Sequence, residues 1–262
     1  MGPYRLTFYR SEAMESLLAE ELKLRHQPVA ILFTDEKPEG AARFKEHRWG
    51  CVMSMLAASA RGFTAVFDRK TTGCMGGQVG LCFGNGYQGR DMARFLSSGP
   101  RGDGRGGLGY LESPEVARAY LKGIPYTDIS ESYVVLKPLG KVDPEQEKPR
   151  LVVFLANADQ ASALWVLANY DRPKGDGVVA PFASGCQSIC LLPYAESKKR
   201  KPRAVLGGMD ISARPHLDPD LLTFTAPWPL FLAMEERVTG SFLERETWQK
   251  IRERIPEPDG KE

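Results

Sequence analysis

The sequence predicts an α/β (or α+β) protein made of two similar strand-helix-strand lobes packed together. Three observations predict it. Val29 to Phe33 and Leu151 to Leu155 are short apolar runs of strand length, and each is followed by a helix-like stretch in its own half. The order strand, helix, strand, Gly-Cys, helix then occurs in both halves, which suggests an internal duplication. Between them, Pro138 to Pro149 is the most linker-like stretch of the chain. The division places an N-terminal lobe at 1–140, carrying Cys51 and Cys74, and a C-terminal lobe at 141–262, carrying Cys186 and a last helix. A single fused domain is the alternative.

The elements follow in order. Glu12 to Arg25 reads as an amphipathic helix that Ser11 can cap, with Met14, Leu17, Leu18 and Leu22 on one face and Pro28 ending it. After the strand Val29 to Phe33 comes a polar loop, then a buried helix from Cys51 to Ala60 that Gly62 stops. Phe63 to Phe67 is a strand, Gly73-Cys74 leads into a Gly-rich stretch, and Asp91 to Ser98 is a short helix. Ser113 caps a helix with Pro114 in its first turn, running to about Lys122, and Tyr133 to Leu136 is a strand. In the second half, Asp159 caps a helix from Gln160 to Asn169, Val178 to Pro181 is a strand, and Gln187 to Leu192 is a short helix after Gly185-Cys186. Ala204 to Leu206 and Leu222 to Phe224 are strands. Ser241 and Glu244 form a capping box for the C-terminal helix, which Pro256 ends.

Composition excludes several classes. With 42% hydrophobic and 26% charged residues the chain is globular rather than disordered. Lysine and arginine number 35 against 33 acids, so no global field draws it to nucleic acid, and the cluster Lys198 to Arg203 reads as a solvated loop. No apolar run approaches the roughly 18 residues that span a bilayer, and Glu12, Glu15, Glu20 and Glu21 interrupt any signal peptide. The expected compartment is a reducing cytoplasm, the expected partner a small molecule, and a homo-oligomer is compatible with all of this. The five cysteines, an odd number, then argue against a disulfide framework.

Cys51, Cys74 and Cys186 each follow a glycine and precede a helix-like stretch. Glycine lets the backbone turn sharply, and a helix N-terminus favours a thiolate through its unpaired amides. Three thiols so placed can converge if the halves face each other, and Cys190 lies one turn beyond Cys186. Such a set suits a soft metal or an iron–sulfur cluster, although no C-x₂-C pair is present. Buried inert thiols are the alternative. Asn157 and Asp159 stand where a buried strand gives way to a helix, a place where open α/β sheets bind ligands, unless Asp159 simply caps the helix. Asp210 and Arg214 can pair with each other or grip a carboxylate or phosphate. Gly84 to Gly89 and Gly102 to Gly107 match G-x-G-x-x-G, but neither opens a βαβ unit convincingly.

Pro28-Val-Ala, Gly50-Cys51, Gly73-Cys74-Met-Gly-Gly77 with Gly80, Phe95-Leu-Ser97, Asp159-Gln160, Leu164, Gly185-Cys186-Gln-Ser-Ile189 and Asp210 with Arg214 together form a pattern. It resembles the prokaryotic proteins catalogued as domain of unknown function 169, from about Leu22 to Trp248. The resemblance implies a bacterial or archaeal cytoplasmic protein with no assigned reaction. It puts Cys51, Cys74 and Cys186 on family-like positions, with Cys82 and Cys190 as departures. Two functions are therefore expected: a thiolate-ligated metal or cluster acting on or sensing a small molecule, or a metal-free binding module using Asn157, Asp159, Asp210 and Arg214.

Overall fold

A computed structural model describes residues 14–46, 48–87, 91–98 and 107–258. Helix α1 (Leu17–Glu21) is capped by Ser16, whose hydroxyl oxygen accepts from the Ala19 amide. It is shorter than the pattern predicted because Lys23 takes a left-handed φ of 47° and turns the chain. Leu18 and Leu22 are buried, but Leu17 faces solvent; Ser11 lies outside the described residues.

Strand β1 (Val29–Thr34) is followed by α2 (Val52–Ala60), β2 (Ala65–Phe67), α3 (Met75–Gly80), β3 (Phe83–Gly84), α4 (Met92–Ser97) and α5 (Pro114–Lys122). Asp91 and Ser113 cap the last two, each accepting the amide three residues on. Next come β4 (Thr127–Asp128), β5 (Tyr133–Pro138), β6 (Leu151–Ala156), α6 (Ala158–Ala168) and β7 (Val178–Val179). A π-helical turn, Gln187–Leu191, runs directly into α7 (Leu192–Ser197), followed by β8 (Ala204–Gly207), β9 (Leu222–Pro227), α8 (Trp228–Glu236) and α9 (Glu246–Arg254).

Seven strands form one sheet in the order β2-β5-β1-β6-β9-β8-β7, antiparallel throughout except for the β7–β8 edge pair. Strand β1 pairs with β5 along its full length and with β6 on its other side, Val29 opposite Val153 and Ile31 opposite Leu151. The sheet therefore runs without a break from strands before residue 140 to strands after it. Pro138 to Pro149 is an ordered corner: Leu139 and Val142 are buried, and Lys137 pairs with Glu147 at 2.6 Å.

Both faces are covered, which is why β1 and β6 read as continuous apolar runs rather than alternating ones. Val29, Ile31, Phe33, Leu151, Val153 and Leu155 point to a layer made by α2, α3 and the π turn. Ala30, Leu32, Val152, Phe154 and Ala156 point to the layer of α1, α6, α8 and α9. Each fully buried Leu, Ile or Phe contributes about 1.5–3 kcal/mol. The helices after β1 and β6 thus lie on opposite faces, so the repeated order of elements does not carry over into equivalent packing. Among the described residues no helix is long and apolar enough to cross a membrane.

Candidate functional site

The Gly-Cys steps meet on the face carrying α2 and α3. Each cysteine stands at the N-cap of a helical segment: Cys51 for α2, Cys74 for α3 and Cys186 for the π turn. The glycines explain how segments so distant in sequence come this close. Gly73 has a φ of 83°, and a side chain there would collide with the Gly50 carbonyl and the Phe44 ring; one at Gly50 would strike the same ring. At Gly185 a Cβ would lie 2.8 Å from Met53 Cγ, in the first turn of α2. At Gly80 it would lie 2.6 Å from Cys186 Sγ. At Gly73 glycine is required, because the φ is left-handed and a backbone carbonyl stands in the place of a Cβ; at Gly50, Gly80 and Gly185 the space is taken first by the side chains of Phe44, Cys186 and Met53.

The thiols interact. Cys74 Sγ accepts from the Gly77 amide at 3.2 Å, closing the first turn of α3. Cys186 Sγ donates to the Gly76 carbonyl at 3.0 Å and lies 3.5 Å from Ser184 Oγ. Burial pushes the Cys186 thiol up to about 12, with the neighbouring Cys74 and Cys51 adding to the shift. Burial also raises Cys51, opposed by the Met53 amide, with Cys74 and Asp210 raising it further. Cys51 and Cys74 are half-buried, and Cys186 lies beneath the surface.

Tyrosines wall the site. Gln187, buried, holds the Ser184 amide through Oε1 and donates through Nε2 to the Tyr87 hydroxyl at 3.1 Å. Tyr87 meets Tyr126 edge-on at 6.2 Å, and burial, helped by the nearby Cys186, raises its phenol above the usual range. Burial pushes Tyr120 up to about 12, with Tyr126 and Asp210 contributing, and its hydroxyl donates to the Phe182 carbonyl. Asp210 accepts from the Gly185 amide at 2.9 Å and from Ser212, so it fixes the third Gly-Cys turn. Beside that turn lies a cleft of about 260 Å³ lined by Ala180 to Ala183, Ser188, Leu206, Gly207 and Met209.

Other expected site residues stand elsewhere or serve the fold. Cys190 has Cys82 as its neighbour; burial and the hydrogen bond with Cys82 hold its thiol well above the usual value, and both side chains are fully buried. Asn157, rather than Asp159, caps α6, in a capping box with Gln160. Asp159 pairs instead with Arg254. Arg214 does not pair with Asp210. Its guanidinium donates to the carbonyls of Gly208, Leu221, Asp218 and Pro219, tying the chain before β9 into a corner. Gly84 is the last residue of the two-residue strand β3 and Gly86 follows it, and neither stands at a helix start; Gly89 and most of the second match lie outside the described residues. Among the described residues no three His, Cys, Asp or Glu side chains stand close enough to hold one metal ion.

Sequence reasoning missed Tyr87, Tyr120, Tyr126, Ser184 and Gln187. Only Gln187 carried a signal, inside the Gly185-Cys186-Gln stretch. No curated protein and no solved structure matches the chain. The family described as an uncharacterised ArCR, domain of unknown function 169, matches residues 17–237. That span holds all three Gly-Cys turns and the tyrosines around them, and the chain belongs to this family.

Proposed function

We propose that the protein binds a small molecule where the three Gly-Cys turns meet, with Cys74 and Cys51 as its contact thiols and Tyr87, Tyr120 and Tyr126 as its walls. One observation carries this reading. Three chain-distant turns are brought together by glycines with no room for a side chain, at a place where two thiols remain half-exposed. A merely structural core has no need to gather three Gly-Cys turns and half-exposed thiols in this way. The adjoining cleft, largely apolar, gives room for the body of such a ligand.

A second reading is a thiophilic metal or iron–sulfur cluster held by Cys51, Cys74 and Cys186. A bound cation would stabilise a Cys186 thiolate that burial first, and the neighbouring Cys74 and Cys51 second, disfavour. The side chains as placed do not form a ligand set, and Cys186 would have to leave the Gly76 carbonyl. Cys190 drops out of this set, being engaged with Cys82.

One experiment separates the readings. Protein purified without oxygen is analysed for iron, zinc and sulfide, and by native mass spectrometry for retained organic ligand. The first reading expects a metal-free protein whose retained or titrated small molecule is lost in Cys74→Ser. Stoichiometric metal in the wild type, absent from Cys74→Ser, establishes the second reading instead. Neither metal nor any ligand dependent on Cys74 would remove both.

A further inference from the structure

A second concavity lies on the other side of the sheet, where α6 and α8 end near the loop before β8. It encloses about 190 Å³ and is lined by Arg172, Arg200, Lys201 and Arg237 against one carboxylate, Asp171, over an apolar floor of Pro229, Leu230 and Ala233. Two of the four cations are built in. The Arg172 side chain is only 8% exposed; it donates to the Pro202 carbonyl, and its nearest carboxylate oxygen, on Asp176, is 3.7 Å away. Arg237 donates to the Leu167 carbonyl at 3.2 Å, pairs with Asp171 at 2.9 Å and lies over the Tyr170 ring. Each guanidinium is thus oriented by a backbone carbonyl; Arg237 is also paired with Asp171, whereas Arg172 has only the Asp176 oxygen 3.7 Å away.

The rim differs. Lys199 and Arg203 of the same basic loop clasp Glu196, so they hold the loop in place. Arg200 and Lys201, between them, have no ion-pair or hydrogen-bond partner among the described residues and face the concavity. Converging cations in a hollow repel one another unless an anion joins them, and two oriented guanidiniums suit the tetrahedral oxygens of phosphate. The apolar floor accommodates a compact organic group.

We infer that this pocket binds the phosphate of a small phosphorylated molecule, with Arg172 and Arg237 as fixed donors and Arg200 and Lys201 closing over it. The site is independent of the thiols.

The test titrates wild-type protein with inorganic phosphate and with adenosine monophosphate at low salt, following amide resonances and calorimetry. The inference expects one site per chain, tighter for the monophosphate, with resonances of Arg172, Arg237 and the loop shifting. Because Arg200 and Lys201 are exposed and have no hydrogen-bond or ion-pair partner among the described residues, the double variant Arg200→Glu/Lys201→Glu should fold normally and bind roughly tenfold more weakly or worse. Arg172→Lys keeps the charge but loses the fork and should weaken binding, while Cys74→Ser should leave it unchanged. Absence of binding, or binding that survives the double variant, would overturn the inference. So would a single-stranded DNA oligonucleotide that binds more tightly than the monophosphate with a steep salt dependence, since that identifies a polyanion surface.

Discussion

The five cysteines divide into two sets that behave differently. Cys51, Cys74 and Cys186 stand at helix starts, and two of them reach solvent. Cys82 and Cys190 lie fully buried against each other in the core beneath β1 and β5. The residue before each cysteine accounts for the difference. Gly50, Gly73 and Gly185 leave room for the neighbouring segments to close in, a backbone carbonyl at Gly73 and side chains at the other two, so the following side chain emerges at a junction of turns. Leu81 and Ile189 precede the other two and are themselves core residues, dragging their neighbours inward. Thiol chemistry in this fold is decided by turn geometry rather than by the presence of sulfur.

Several measurements can break or sharpen that contrast. The largest effect is expected at high pH. The folded protein holds the Cys186 proton up to about 12, whereas an unfolded thiol releases it near 9.0. Between those values the native state carries more protons, so stability falls as pH rises, by about 4 kcal/mol across the window from this one group. Denaturant titrations of the wild type and Cys186→Ala should differ in slope over that range, with the variant flatter.

Next comes Gly73→Ala. It adds a collision with the Gly50 carbonyl to an unfavourable φ, and should cost about 3 kcal/mol. Gly40→Ala, with a φ of 66° but open space around it, should cost only about 1 kcal/mol. Equal losses at the two glycines would show that the turns are not in close contact. Iodoacetamide labelling of the native protein should modify Cys51 and Cys74 about a hundredfold faster than Cys82 and Cys190, which react only through opening of the core. Peptide mass spectrometry against time gives the ratio. The smallest effect is on stability: Cys190→Ala should cost about 1–2 kcal/mol by leaving a gap in a sealed interior, and Cys51→Ala about 0.5 kcal/mol or less.

Much of this was legible in the sequence. The apolar runs of β1 and β6, the Ser113-Pro114 helix start and the placing of all three Gly-Cys steps before helices rest on local chemistry, and the structure agrees. What was not legible depends on tertiary choices. Runs that are apolar on both faces of a strand cannot say which side a following helix takes, so the opposed placing of α2 and α6 left no trace. Helix α8 was missed because it opens with Trp228-Pro229 and buries Leu230, Phe231 and Met234, reading as an apolar stretch without clear start signals. The spacing of Asp210 and Arg214 suggested an ion pair, yet four backbone carbonyls compete for that guanidinium and win. Asn157 and Asp159 are both good caps two residues apart, and the capping box with Gln160 decides for Asn157. The tyrosines of the site carry no spacing rule at all. Only folding brings Tyr87, Tyr120 and Tyr126 beside Cys186 and Asp210.

The most direct measurement is reaction of the reduced, folded protein with a trivalent aryl arsenical, which binds stably only where two thiols can reach one arsenic atom. The prediction is a single equivalent per chain, located by mass spectrometry across Cys74 and one of Cys51 and Cys186, and lost in Cys74→Ser. Failure to bind, or capture solely at Cys82 and Cys190, would mean that the three glycine-led turns do not share a site.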